Sequence, residues 1–378
     1  MTECFKSKFN FFLSFFSLHT MSTQETKEAV SKSEKSALKS EKHPVRWAPV
    51  RGIPIERRLQ MLAVCTWISL VFICFSTFII MSTYTFLWPI VIAYVSFLWI
   101  DKAPESGGRR FDNARKWIIW KYFANYFPIK LIKEADLDPS KNYVMGYHPH
   151  GIISMGAFAN FATEATGFSA TFPGIKPSLL TLNSNFRIPF YRDLIMSLGM
   201  ASVSRRSCEN ILKSGPGRSI VIVVGGAAES LNARPGITDL VLRKRLGFIR
   251  LAIKNQAPLV PVFSFGENDL YDQVDNTKGS KVFMFQKKMQ SLLGFTMPLF
   301  HARGIFNYDV GIIPFRHQIA TVVGCPIPVP ALEEGQTEPT QEQLLQVQKL
   351  YIDELQSIYD KYKDVYAKDR KQDLCITD

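Results

Sequence analysis

KNYVMGYHPHG, residues 141–151, is an apolar run rich in β-formers that ends on two histidines one residue apart. The stretch after it, IISMGAFANFATEA (152–165), reads as a helix opened by Gly151. A strand that ends on histidine and turns into a helix is where an α/β protein exposes side chains for chemistry, at the C-terminal edge of its sheet. The helix start would offer unpaired backbone N–H groups to an oxyanion. Pro149 biases His148 toward extended backbone, so the turn is expected between the two rings. On spacing alone, two satisfied structural histidines are the plainer alternative.

Downstream, short β-like runs alternate with helical ones. SLLTL (178–182), SIVIVV (219–224), PLVPVF (258–263) and QIATVV (318–323) read as strands. Helices are expected around 188–198, 206–213, 244–255 and 281–293, with a long amphipathic helix over 341–366. Nearly continuous apolar strands between helical periods predict an α/β domain, residues 141–378, with a largely buried sheet.

Upstream the pattern changes to a membrane signal. Leu59 to Met81 carries no charge and exceeds the about 20 residues that cross a ~30 Å hydrocarbon core. Phe86 to Ile100 is shorter and contains Pro89. Arg57 and Arg58 precede the pair, and Lys102, Arg109 and Arg110 follow it. Positive residues on both outer flanks predict an N-terminal membrane hairpin (59–81 and 86–100) with both ends cytosolic. Residues 101–140 then read as an interfacial segment: Trp117, Trp120, Tyr122, Phe123 and Phe127 alternate with Arg115, Lys116 and Lys121, as in a helix lying among headgroups, with an amphipathic packing helix as the alternative. Residues 1–58 are basic and read as disordered. Within them Phe9 to Leu18 loosely resembles a signal peptide without a cleavage site, Met21 is an alternative start, and Ser22 to Pro54 is too polar to bury a core.

The bulk numbers agree. Across 378 residues 47% are hydrophobic and 29 are Phe, which with a mean hydropathy of +0.01 points to contact with lipid. A net charge of +12 favours an anionic partner, a membrane surface, a phosphorylated cofactor or nucleic acid. No nucleic-acid motif or basic recognition helix is present, so nucleic acid is not an expected partner. The six Cys are scattered, without zinc-knuckle spacing or a disulfide framework.

A histidine acting as general base must be neutral and within reach of the proton it removes, a role that contributes about 10²–10⁴-fold. A carboxylate often holds its ring in the right tautomer. Five residues after His148 and His150 stand Ile153 and Met155, so that carboxylate must come from elsewhere. Glu229 is the best candidate. It follows SIVIVV in GGAAES (225–230), a second strand end, whose glycines permit close backbone approach. Glu164 and Glu209 are weaker substitutes, and a surface or helix-capping glutamate is the plainer reading of Glu229. Arg205, Arg206, Lys213, Arg218, Arg234, Arg243, Lys244 and Arg245 cluster after the site. They read either as a solvated face or as an electropositive rim for a polyphosphate.

Six motifs in order carry a family resemblance: YFP (126–128), HPHG (148–151), FPGIKPSLLTLNSNFRIPFYRD (172–193), VVGGAAESLNARPG (223–236), RLGFIRLAIKNQAPLVPVFSFGE (245–267) and VVGCPIPVP (322–330). From about Tyr126 to Pro330 the chain resembles the type-2 diacylglycerol O-acyltransferases, a family that includes monoacylglycerol and wax-ester acyltransferases. The resemblance implies a glycerolipid-acyltransferase-like α/β domain, fatty acyl-CoA as donor substrate with no separate cofactor and no metal, and triacylglycerol synthesis at the endoplasmic reticulum. Some members also associate with lipid droplets. Many glycerolipid acyltransferases place an Asp five residues after the His, which this chain lacks. In relatives that acylate glycerol phosphate an Arg after the motif corresponding to GGAAES reads the phosphate. Here that place is Ser-Leu-Asn, which fits a neutral alcohol. Ala302 in His301-Ala302-Arg303-Gly304 stands where the family usually has Gly.

The expected site is therefore His150 as base with His148 a close second, Glu229 as partner, the backbone near Gly151 for the oxyanion, and Arg187, Arg205, Arg206, Arg234 and Arg243 for substrate. Diacylglycerol would enter from the bilayer; monoacylglycerol or a long-chain alcohol is the alternative acceptor, and assembly into a homo-oligomer is left open. Two other classes compete: a metal-dependent hydrolase using His-x-His, for which His301 and His317 lie in unrelated contexts, and a non-catalytic lipid-binding membrane protein.

Overall fold

The alternation of apolar and helical runs folds into a mixed α/β layer in the computed structural model, which describes residues 44–49, 51–273, 284, 288 and 299–377. Phe9–Leu18, Met21, most of 22–54 and nearly all of the helix expected at 281–293 lie outside the described residues. In chain order the strands are β1 Lys130–Lys133, β2 Tyr143–His148, β3 Lys176–Thr181, β4 Ala201–Ser202, β5 Arg218–Val223, β6 Asp239–Val241, β7 Leu259–Phe265, β8 Asp272–Gln273, β9 Phe300–His301, β10 Ala320–Val323 and β11 Cys375–Thr377. The principal helices are α1 Ile55–Thr83, α2 Trp88–Ile100, α3 Ile118–Tyr126, α4 Tyr191–Ser197, α5 Arg205–Leu212, α6 Gly226–Asn232, α7 Gly247–Lys254 and α8 Gln341–Tyr366.

Among the described residues the main sheet runs β1-β10-β7-β2-β5-β3-β4. β2 lies inside it, parallel to β5 on one side and to β7 on the other. β10 pairs antiparallel with β7 and parallel with β1. Since β1 belongs to this sheet, the α/β unit begins before residue 141. β2 and β7 are buried along their whole length, because the period of two sends alternate side chains into two cores. Tyr143, Met145 and Tyr147 join one core with Trp120 and Phe158. Val144 and Phe263 join the other with Tyr351 and Leu355 of α8. α8 starts at a capping box, in which the Thr340 side chain accepts from Gln343 N–H while the Gln343 side chain accepts from Thr340 N–H.

α1 covers the first apolar run and starts four residues earlier, directly after Pro54. α2 follows a 3₁₀ turn at Thr85–Leu87 and takes Pro89 in its first turn, where a missing N–H costs nothing. Thr77, Ser82 and Thr83 donate their hydroxyls back to the carbonyls of Ile73, Phe78 and Ile80 (2.8, 2.8 and 2.7 Å), as hydroxyls in apolar surroundings must. By length and composition, α1 and the stretch Thr85–Glu105 can each cross a membrane.

The pair is fixed to the domain. Trp67 of α1 stacks on Phe158 with 3.6 Å between ring centroids, and Trp120 meets both rings edge-on. Tyr94 of α2 stacks on Phe190 (5.1 Å), accepts the Phe190 N–H (2.8 Å) and bonds Asp193. Arg192 donates to Leu98 O (3.1 Å) and pairs with Asp101.

Two sequence expectations need correction. The aromatic residues of 111–127 do not form a headgroup-facing stripe: α1 covers α3, so Trp120, Phe123, Tyr126 and Phe127 are buried, while Phe111, Trp117 and Ile118 are exposed. Arg115 is buried too, donating to Leu198 O (2.6 Å) and Phe161 O (3.1 Å) and pairing with Glu164 (3.1 Å). Nor does Gly151 open a helix. Residues 151–153 form a turn, Ser154 sits in left-handed backbone (φ 53°), and the helix starts only at Met155, continuing as a π turn over Phe158–Ala162.

Candidate active site

β2 and β5 run parallel as neighbours, so the loops after them meet at the same sheet edge. The first loop carries His148-Pro149-His150-Gly151, with a cis His148–Pro149 peptide, and the second carries Gly225-Gly226 leading into α6 with Glu229 and Ser230. The sheet thus juxtaposes the two motifs the sequence pointed to. What they touch differs from expectation.

His148 faces inward. Its Nε2 lies 2.9 Å from the Tyr351 hydroxyl, which also donates to Gly146 O (3.1 Å). Its Nδ1 has no hydrogen-bond partner among the described residues, and burial pulls its pKa down to about 3. α8 reaches this ring only because residue 146 is glycine: a Cβ there would collide with the Tyr351 hydroxyl. His148 is therefore a neutral core residue.

His150 is half-buried, with its ring held through Nδ1. Nδ1 lies 2.8 Å from Ser230 Oγ and 3.1 Å from Gly151 O. Ser230 Oγ in turn donates to Gly226 O (3.3 Å), so both neighbours of Nδ1 accept. The proton then resides on Nδ1, and Nε2 keeps its lone pair. Burial lowers the pKa of His150 from its usual 6.5, so the ring is neutral at pH 7.

Glu229 is buried beside this loop without touching the ring. Its Oε2 accepts the backbone N–H of His150 (2.8 Å) and its Oε1 that of Val241 (3.1 Å). The carboxyl thus fixes the main chain of the HPHG turn, and Ser230, next to it in GGAAES, holds the imidazole. Burial pushes the Glu229 pKa up to about 8, against the pull of the two amides. Gly225 (φ 98°) has left-handed backbone, and a Cβ there would collide with the Glu229 carboxyl.

Beneath the turn lies a second buried acid, Glu267, in the Gly266-Glu267 pair that follows β7. It accepts the Tyr147 hydroxyl (2.7 Å) and the Gly156 N–H (3.1 Å), and burial raises its pKa to about 7. The first turn after Ser154 is thereby spent on Glu267 rather than on an oxyanion. The Gly151 N–H makes no hydrogen bond among the described residues.

The basic residues separate. Arg205, Lys244, Arg245, Arg250 and Lys254 line a cavity of about 560 Å³ that also includes Gly225 and Gly226, at the end of β5. Arg205 and Lys254 there share Glu338, and Arg205 also pairs with Glu209, which places that glutamate outside the site. Arg206 instead pairs with Glu105 (3.5 Å), and Arg243 bonds Ile376 O (3.3 Å). Arg234 sits in a bridge with Ile237, and Arg187 lines a separate hollow beside Trp99 and Arg192. Of the five predicted substrate arginines, only Arg205 reaches the cavity. Glu164 is taken by Arg115. Among the described residues no group of three or more His, Cys, Asp or Glu side chains is placed to hold a metal ion.

Sequence reasoning passed over Ser230, Glu267 and Tyr351. Ser230 and Glu267 stood inside quoted motifs, where a polar residue beside a strand-end glycine was a usable signal. Tyr351 gave none, because its partners are more than two hundred residues away.

A family model described as diacylglycerol acyltransferase matches residues 80–377. The chain is 66% identical to diacylglycerol O-acyltransferase 2B of Umbelopsis ramanniana over 88% of its own length and 95% of the relative's. It is 49% identical to diacylglycerol O-acyltransferase 2 of Dictyostelium discoideum (88% and 99% covered) and 46% identical to 2-acylglycerol O-acyltransferase 1 of Bos taurus (85% and 96%). No solved structure matches. The match contains every residue of the site just described, and the chain belongs to the diacylglycerol acyltransferase family.

Proposed function

We propose that the protein transfers a fatty acyl group from acyl-CoA to the free hydroxyl of diacylglycerol, releasing triacylglycerol and CoA. The observation that carries this reading is the family match over 80–377, with relatives named for that reaction covered almost end to end. His150 Nε2 removes the acceptor's hydroxyl proton as the oxygen attacks the thioester carbonyl. The tetrahedral oxyanion is met by the Gly151 N–H, the kind of fixed donor that is often the largest single contribution. The intermediate collapses with loss of the CoA thiolate, which takes up the proton held on His150. No cofactor enters this sequence of steps. Glu229 and Ser230 position the base, through its main chain and its ring respectively.

The cavity lined by Arg205, Lys244, Arg245, Arg250 and Lys254 is the place for the phosphates of CoA, with Gly225 and Gly226 on the wall it shares with the catalytic loop. α1 and α2 embed in the bilayer as a hairpin with both ends cytosolic, and diacylglycerol reaches His150 laterally. An endoplasmic-reticulum membrane, with passage to lipid droplets, fits this arrangement.

The likeness to a 2-acylglycerol O-acyltransferase favours monoacylglycerol as the rival acceptor. Membranes carrying the full chain are given labelled acyl-CoA with diacylglycerol, monoacylglycerol or a long-chain alcohol. Triacylglycerol as main product, lost in His150→Ala, is the expected result. Preference for another acceptor corrects the substrate, and turnover that survives His150→Ala/His148→Ala ends the general-base mechanism.

A further inference from the structure

At the N-terminal end of α1 lies a cavity of about 710 Å³, set apart from the catalytic loops. Arg57, Arg303 and Arg316 are among its lining residues, and no Asp or Glu is among the described ones. Gathering guanidinium groups without an acid is unfavourable unless an anion joins them. The two on the domain side are held in place. Arg316 lies 4.1 Å over the Tyr126 ring and bonds Gln60 of α1, and Arg303 lies 4.7 Å over Tyr308. Stacking occupies the faces of these groups and leaves edge N–H donors for an oxyanion. Burial lowers the pKa of Arg316, and the nearby charges of Arg57 and Arg303 add to it.

The rest of the cavity is apolar, with Met61, Leu62, Ile305 and Phe306 in its wall. Its rim is a loop held open to the outside: Ala48 N–H donates to Phe306 O (2.8 Å) and Trp47 bridges Asn307, yet Trp47 and Phe306 are 71% and 69% exposed. Ile305, Val310 and Ile312 are exposed beside them. Such a patch next to clustered arginines, at the flank of an apolar helix, matches the layer where headgroups meet acyl chains.

We propose that this cavity binds an anionic phospholipid of the bilayer, its phosphate among Arg57, Arg303 and Arg316 and its chains along Leu62, Ile305 and Phe306. A free phosphate would leave the apolar wall unused, and a neutral phospholipid would leave the arginines without a net anion. The site adds a lipid ligand that is neither donor nor acceptor, and it rests on the membrane reading of α1 only for where the lipid comes from.

The test reads binding rather than turnover, so it stands apart from the acyltransferase assay. Full-length protein in neutral detergent is mixed with phosphatidylglycerol or with phosphatidylcholine of the same chains, and retained lipid is counted by native mass spectrometry. One phosphatidylglycerol should be retained in preference to phosphatidylcholine. Arg57→Gln/Arg303→Gln/Arg316→Gln should weaken retention about tenfold or more, whereas Lys176→Gln/Lys349→Gln/Lys368→Gln, with the same loss of charge elsewhere, should not. Arg57→Glu alone, on an exposed position of α1, should also weaken it, which covers the case in which the triple variant fails to fold. Equal retention of both lipids, unchanged retention in Arg57→Glu, or full displacement by millimolar inorganic phosphate would overturn the proposal.

Discussion

A single residue lies between His148 and His150, yet a wall of packing separates their chemistry. Tyr351 seals His148 inside the sheet, while Ser230 and Gly151 O turn His150 outward with Nε2 free to accept. Ser230→Ala should keep the protein folded and lower kcat about tenfold, because Gly151 O alone then orients the ring; a normal kcat would deny Ser230 that role. Glu229→Gln should also lower kcat, since the amide nitrogen, unlike a carboxyl oxygen in either protonation state, cannot accept a backbone N–H. Because Glu229 acts on the main chain, the acid limb of the kcat/KM profile should stay where His150 puts it, below pH 6.5. A limb displaced by the Gln substitution would make the carboxyl a direct proton partner. The same residue makes a stability prediction. Its pKa rises from 4.5 unfolded to about 8 folded, so its contribution is full below about pH 4.5 and is lost as pH climbs through 8. The His148 contribution runs the other way, full above pH 6.5 and lost as pH falls toward 3. Thermal unfolding of the detergent-solubilised chain should therefore show an alkaline decline that Glu229→Gln flattens. An unchanged decline would mean that Glu229 is ionised in the fold at neutral pH.

At the level of elements, the apolar strands were legible because a sheet buried on both faces writes itself as uninterrupted runs. SIVIVV, PLVPVF and QIATVV became β5, β7 and β10, and Gln341–Tyr366 became α8 at its expected bounds. The Met155 turn was not legible: its residues favour a helix, but its start is dictated by Glu267, 111 positions away from Gly156. The aromatic stripe of 111–127 misled for a related reason. An apolar face looks the same in sequence whether lipid or α1 covers it, and only Trp67 against Phe158 decides which. The crossing of α8 over β2 depends on an absent side chain. Gly146→Ala should destabilise the protein by about 1–3 kcal/mol through overpacking against Tyr351. Adding Tyr351→Phe, which removes the colliding oxygen, should recover much of that loss in unfolding measurements. Additive losses in the double variant would show the strain to lie elsewhere.

At the level of the whole molecule, α1 is long and apolar enough to cross a membrane and is at the same time part of the core. Ala63 and Val64 are buried with Trp120 and Phe123, so removing α1 exposes the face on which the segment after the HPHG turn rests. A chain beginning at Lys102 should therefore aggregate rather than yield a soluble enzyme, as size-exclusion chromatography would report; a monodisperse, folded fragment would contradict this. The Trp67–Phe158 stack carries one more implication, a mechanical one. Phe158 begins the π turn directly after Met155–Ala157, the segment whose Gly156 amide Glu267 holds below the HPHG turn. A helix tilts to match the thickness of the layer that surrounds it. With an indole clamped on that ring, tilting α1 in the bilayer proposed above would lever the floor of the HPHG turn, so turnover should peak at one acyl-chain length of the host lipid and fall in both thinner and thicker bilayers. Trp67→Ala would uncouple the lever and flatten that optimum.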